Sequence, residues 1–242
     1  MKKILAAVLV LTLALSLCAF ALADGAISHA DYIAAAIDDE VTIEACVQAH
    51  QAWWDGKVTI YAADPDGAYF LYEVPCSEED AAKLVPGTRF IATGFKSEWS
   101  GEVELADISS FEIVDGDAYI AEPEDVTDLL GKDELIDKMN QLVSFKGMTV
   151  EPSKIEGDEN DYAFLYNWDG SGEAGANNDL YFNVSKDGAT YTFTVESYLT
   201  GEGSDVYEAV KALNVGDVID LEGFLYWFNG ANPHITAVKA AE

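Results

Sequence analysis

Three histidines, His29, His50 and His234, are the first residues to test for catalysis or metal binding. They lie far apart in the chain, and none stands at ligand spacing from a Cys or Asp, so each reads as a satisfied surface or edge histidine. The sequence contains no H-E-x-x-H, G-x-S-x-G, Walker A or S-x-x-K segment, the arrangements that place a base, a nucleophile or a phosphate cradle. With 44 Asp and Glu residues, carboxylate pairs occur throughout and mark no acid–base site. No catalytic residue is assigned, and a protein that is not an enzyme and carries no cofactor is expected.

Two glycine-rich or acidic stretches need closer reading. Gly170, Gly172 and Gly175 spell G-x-G-x-x-G. A dinucleotide site needs those glycines between a strand and a helix, so that the pyrophosphate meets the helix N-terminus. Here Asn177-Asn178-Asp179 leads into another strand, so the stretch reads as a loop. Its oxygens from Asp158, Asp161, Asp169, Glu173 and Asp179 could form an irregular calcium site. They lack the EF-hand order, and a plain polar loop is the default reading.

Aromatic placement stands above this background. Trp53-Trp54-Asp55-Gly56, Trp99-Ser100-Gly101, Trp168-Asp169-Gly170 and Tyr226-Trp227-Phe228-Asn229-Gly230 all put aromatics just before a glycine turn, and they hold all five tryptophans. Flat aromatic faces stack on sugars or bases and suit interfaces. The competing role is structural, a cover over an open end of the core.

The elements that must position these side chains begin after an export signal. Lys2 and Lys3 precede the apolar run Ile4–Phe20, and Ala21-Leu22-Ala23 supplies the small-x-small pattern of a cleavage site. Residues 1–23 therefore read as a signal peptide, with lipidation at Cys18 as the alternative, and a secreted or cell-surface location is expected. No long apolar run follows, so no further membrane span is expected. Removing the signal takes the net charge from −31 to −33. Such acidity keeps a protein soluble, and together with the lack of any basic run it makes nucleic acid an unlikely partner. Half of the residues are hydrophobic, a composition that builds a core rather than a disordered chain. Cys46 and Cys76 remain, and the sequence leaves open whether they are bridged.

The mature chain repeats itself. Val41-Thr42-Ile43 matches Val143-Ser144-Phe145, the turn Asp66-Gly67 matches Asp187-Gly188, and Leu84, Gly87, Gly94-Phe95 and Gly101 match Leu213, Gly216, Gly223-Phe224 and Gly230. Each copy reads as a helical lead-in, three strands, a helix capped by Ser77 or Ser204, and two more strands. That order resembles the OB-fold, a five-stranded Greek-key barrel with a helix between its third and fourth strands; a β-sandwich is the alternative. The whole is similar to secreted bacterial proteins with tandem OB-like modules, a resemblance that implies fold and location but no activity.

The expected fold is thus mainly β, with two barrels at 24–114 and 132–242 joined by an acidic linker at 115–131. In OB-folds the loops joining strands 1–2 and 4–5 flank the ligand face, which is where the resemblance puts the aromatics. Trp53, Trp54, Trp99, Trp168, Tyr226, Trp227 and Phe228 are the candidate ligand-binding residues. A non-catalytic binding protein is expected, its partner an unknown protein or a neutral glycan. The alternatives are a spacer with no small ligand and, by fold analogy, single-stranded nucleic-acid binding.

Overall fold

The computed structural model describes residues 23–241, so the basic and apolar segments behind the signal-peptide reading, Cys18 included, lie outside the described residues. The first barrel comprises β1 (Glu40–His50), β2 (Lys57–Asp64), β3 (Gly67–Pro75), β4 (Arg89–Trp99) and β5 (Glu102–Ile113). Its strands close in the order β1-β2-β3-β5-β4, with β4 pairing back onto β1. The turn Asp64–Gly67 reverses β2 into β3, and the Asp64 carboxylate accepts from the Asp66 and Gly67 N–H groups that the turn leaves free. Helix α1 (His29–Ala34) starts at Ser28, whose hydroxyl accepts from the Asp31 N–H, and it delivers the buried Tyr32 to the core. Helix α2 (Glu78–Ala81) is a single capped turn between β3 and β4.

The second barrel repeats this topology. A two-residue strand β6 (Glu124–Asp125) runs beside β7 (Leu142–Glu151), and β8 (Leu165–Tyr166) edges β9 (Leu180–Lys186). β10 (Ala189–Val195), helix α3 (Asp205–Lys211), β11 (Val218–Phe224) and β12 (His234–Ala240) complete it. The sheet order β7-β11-β12-β10-β9 closes through pairing of β9 with β7. The lead-in expected over 133–140 is a 3-10 helix, Asp133–Lys138, ending before Asn140 at φ +67°. The acidic segment between the barrels is anchored, because Val126 is buried in the second core.

Alternation explains the two cores. Ile43, Ala45 and Val47 of β1 point inward in the first barrel, with Ile60, Leu71 and Phe90 facing them. In the second, Phe145, Phe182 and Phe193 pack with Tyr207 and Val210 of α3. The matched glycines have the same job in both. A Cβ on Gly94 would sit 2.7 Å from the Ala106 carbonyl oxygen, and one on Gly223 would sit 2.4 Å from that of His234. Each lies at a register shift where the fourth strand crosses close over the fifth. Cys46 and Cys76 are both free thiols.

The barrels meet through a third apolar cluster, Tyr61 and Phe70 from the first and Phe224 from the second. The Tyr61 and Phe224 rings stack at 4.6 Å between centroids.

Candidate functional site

On β3 the inward side chains are Tyr69 and Leu71, so Phe70 and Tyr72 project from the outer face. On β5 Leu105 is inward, and Glu104 and Glu102 therefore point out as well. These strands and β2 present Thr59, Phe70, Tyr72 and Glu104 as one wall of a cleft. The opposite wall comes from the second barrel: Tyr181 of β9, Tyr226 and Phe228 of the β11–β12 loop, and Asn232 and His234 at the start of β12. The cleft has a volume of about 490 Å³, in the range of small-ligand sites.

Trp99 stands at its rim because of a tight turn. Ser100 (φ +53°) and Gly101 (φ +94°) both take left-handed backbone, the signature of a two-residue hairpin loop that sets Trp99 opposite Glu102. This turn interlocks with its counterpart in the second barrel. The Asn229 N–H donates to the Ser100 carbonyl at 2.7 Å, and the Trp227 N–H donates to Glu102 Oε2 at 2.7 Å. A side chain at Gly101 would collide with the Trp227 indole, 2.9 Å away.

The cleft is electrostatically unusual. No Lys or Arg lines it. His234 is buried, its Nδ1 lies 2.6 Å from the Tyr61 hydroxyl, and loss of solvation pulls its pKa down to about 3, so the ring is neutral. Its ring also stacks on Tyr226 at 4.4 Å. Burial pushes Glu104 up to about 7, and no described residue makes a salt bridge or hydrogen bond to its carboxyl group. Glu102, beneath the interlocked turns, has no exposed surface and is pushed up to about 8 by burial, against the hydrogen bond from the Trp227 N–H, which pulls the other way, while the Asn140 amide donates to the Val103 carbonyl instead.

The aromatic residues singled out from the sequence divide in three. Trp99 (61% exposed), Phe228 (50%) and Tyr226 line the cleft. Trp54 lines a neighbouring depression of about 170 Å³ that shares Gln51, Thr59 and Tyr72 with the cleft. Trp53 donates its indole N–H to the Cys76 carbonyl at 3.0 Å, Trp227 packs against the second core, and Trp168 stands exposed apart from the cleft. Of the seven candidate ligand-binding residues, Trp99, Tyr226 and Phe228 thus share one cleft, to which both barrels contribute. His234, expected at a surface or edge, is satisfied but buried between the barrels.

The acidic loop residues are not gathered. Asp161 pairs with Lys154, Asp158 accepts from Asn160 and the Tyr162 hydroxyl, Asp169 from the Ser171 N–H and Asp179 from Ser197, while Glu173 is exposed. Among the described residues no three His, Cys, Asp or Glu side chains form a metal-holding group.

Phe70, Tyr72, Tyr181, Glu104 and Asn232 escaped the sequence reading, although a signal existed. Ile60–Ala63 and Ala68–Leu71 are apolar at both alternating positions, which marks strands covered on both faces.

No family model matches the sequence, and no curated protein sequence matches it. The fold is similar to that of several solved structures. The tetrameric p202 HIN2 structure is 13% identical over 85% of this chain and 95% of that one, with a TM-score of 0.35. A murine DNA-binding protein bound to double-stranded DNA is 12% identical over 83% and 96%, with a TM-score of 0.38. A replication protein A heterotrimer bound to single-stranded DNA is 13% identical over 82% of this chain and 50% of that one, with a TM-score of 0.30. The class defined is a tandem OB-like barrel protein. The expectation that nucleic acid is an unlikely partner is corrected here, since proteins of similar fold are solved on DNA. The net charge of a whole chain does not decide what one face of such a barrel binds.

Proposed function

We propose that this is a non-catalytic binding protein whose ligand sits in the cleft between the barrels, against aromatic side chains left in solvent. The observation that carries this reading is the exposure of Tyr72, Trp99 and Phe228 around one cleft, 45%, 61% and 50% respectively, beside two turns joined by hydrogen bonds. Large exposed apolar rings grouped on one surface are characteristic of interaction sites. The position supports the reading too, because the outer face of strands two and three with the 4–5 loop is where OB barrels hold ligands.

The test is a fluorescence titration of wild type and Trp99→Ala with single-stranded oligothymidylate, neutral oligosaccharides and small ammonium compounds. At least one probe is expected to quench wild type, with the response lost in Trp99→Ala and the melting temperature nearly unchanged. A response that survives Trp99→Ala, or silence from every probe, overturns the reading and leaves a spacer role.

A further inference from the structure

The cleft combines a carboxyl group with aromatic faces and is lined by no Lys or Arg. Its lining includes Phe70, Tyr72, Trp99, Tyr181, Tyr226 and Phe228, and the one ionisable acid among them is Glu104. Glu104 is 7% exposed and has no hydrogen-bond or ion-pair partner among the described residues. A carboxylate buried without a partner is costly, so Glu104 tends to keep its proton until a counter-charge arrives to stabilise the ionised form. The π-faces around it are themselves negative and attract cations, most strongly when water is displaced.

We infer that the cleft is a binding site for an organic cation of the alkylated-ammonium class, held by the faces of Tyr72, Trp99 and Phe228 and by the Glu104 carboxylate. This rests on the cleft being the ligand site. A bare calcium or magnesium ion does not fit, because such ions need six or more oxygen ligands and these walls are mostly rings, and among the described residues no three His, Cys, Asp or Glu side chains gather to hold another metal. A primary ammonium would need acceptors for three N–H groups, whereas methyl groups on nitrogen pack directly on aromatic faces and carry the charge to them. Gln51 and Asn232 at the margin suit a polar substituent on such a cation.

Choline and its uncharged tert-butyl isostere, in which carbon replaces nitrogen, isolate the charge. Fluorescence and calorimetric titrations are expected to show choline bound about tenfold more tightly than the isostere, as a desolvated cation–π and carboxylate contact implies. Glu104→Gln, which keeps the shape, is expected to bring that preference close to unity, and Trp99→Ala to weaken both compounds. Equal affinity for the two compounds, or an undiminished preference in Glu104→Gln, overturns the inference. If neither compound binds while oligothymidylate or an oligosaccharide gives a Trp99-dependent response, the inference fails and the cleft reading stands. If no probe responds, both fail.

Discussion

Glu102 sits where the two barrels clasp each other, and its chemistry sets how that clasp responds to pH. Its Oε2 accepts from the Trp227 N–H, while Oε1 and the nearby Asn140 Oδ1 are both buried without a partner. Two acceptors without a donor are satisfied if the carboxyl group carries a proton. Burial raises its pKa from 4.5 to about 8, so the folded protein binds this proton more tightly than the unfolded chain does. The folded state therefore holds more protons between about pH 4.5 and pH 8, and stability falls as pH rises through that window. The loss is on the order of a few kcal/mol. Glu102→Gln keeps the acceptor for Trp227, supplies an N–H donor and cannot ionise. It is expected to raise the melting temperature at pH 9, by roughly 2–4 °C per kcal/mol recovered, and to leave it nearly unchanged at pH 5. A lower melting temperature at both pH values would show that Glu102 is not buried in this way. Glu104 obeys the same rule for ligand binding. A bound cation favours its ionised form, so choline affinity is expected to drop as pH falls below about 7. The groups around Glu104 that titrate are Glu102 on its own strand, Tyr32 on α1, Tyr72 on β3, and Tyr181, Tyr226 and His234 from the second barrel, of which His234 is held neutral by burial. The tyrosines are all raised by burial and nearby carboxylates, leaving the two acids to set the profile.

At the level of elements, the repeat makes the two barrels legible in the sequence. Gly94 and Gly223 share a register because the fourth strand needs a residue without Cβ at its crossing of the fifth in each copy. Such a requirement leaves a mark at a fixed distance in the sequence. Gly223→Ala is expected to cost about 1–3 kcal/mol through overpacking against the β12 backbone. It is also expected to weaken ligand binding, since the carbonyl it would strike belongs to His234, a cleft residue. Chemical denaturation and titration of the same variant check both effects. The candidate site was less legible, for a physical reason. Loop aromatics beside glycine turns advertise themselves, as Trp99, Tyr226 and Phe228 do. Phe70, Tyr72 and Glu104 lie on strands, where side-chain direction depends on which face a second barrel covers. Two-sided apolarity in β2 and β3 indicated a cover, but not that His234, Tyr226 and Phe224 would supply it from some 150 residues away.

For the whole molecule, the arrangement of the barrels and the net charge bear on the same cleft. Phe224 is 4% exposed and stacks on Tyr61, so Phe224→Ala is expected to cost about 3–5 kcal/mol and to remove ligand binding by loosening one wall. A chain with net charge −31 attracts cations at long range, which adds to the approach of a cation but not to its contacts in the cleft. That attraction is screened over about 8 Å at physiological ionic strength, whereas the buried contact with Glu104 is screened far less. Salt therefore separates the two contributions. Raising sodium chloride is expected to slow choline association in stopped-flow traces while leaving its dissociation rate nearly constant, because only the approach runs through solvent. The tert-butyl isostere, which has no charge for the field to act on, should show no such dependence. If salt instead accelerated choline release, the carboxylate contact would lie in solvent, and the cleft would not be the enclosed aromatic site that its geometry describes.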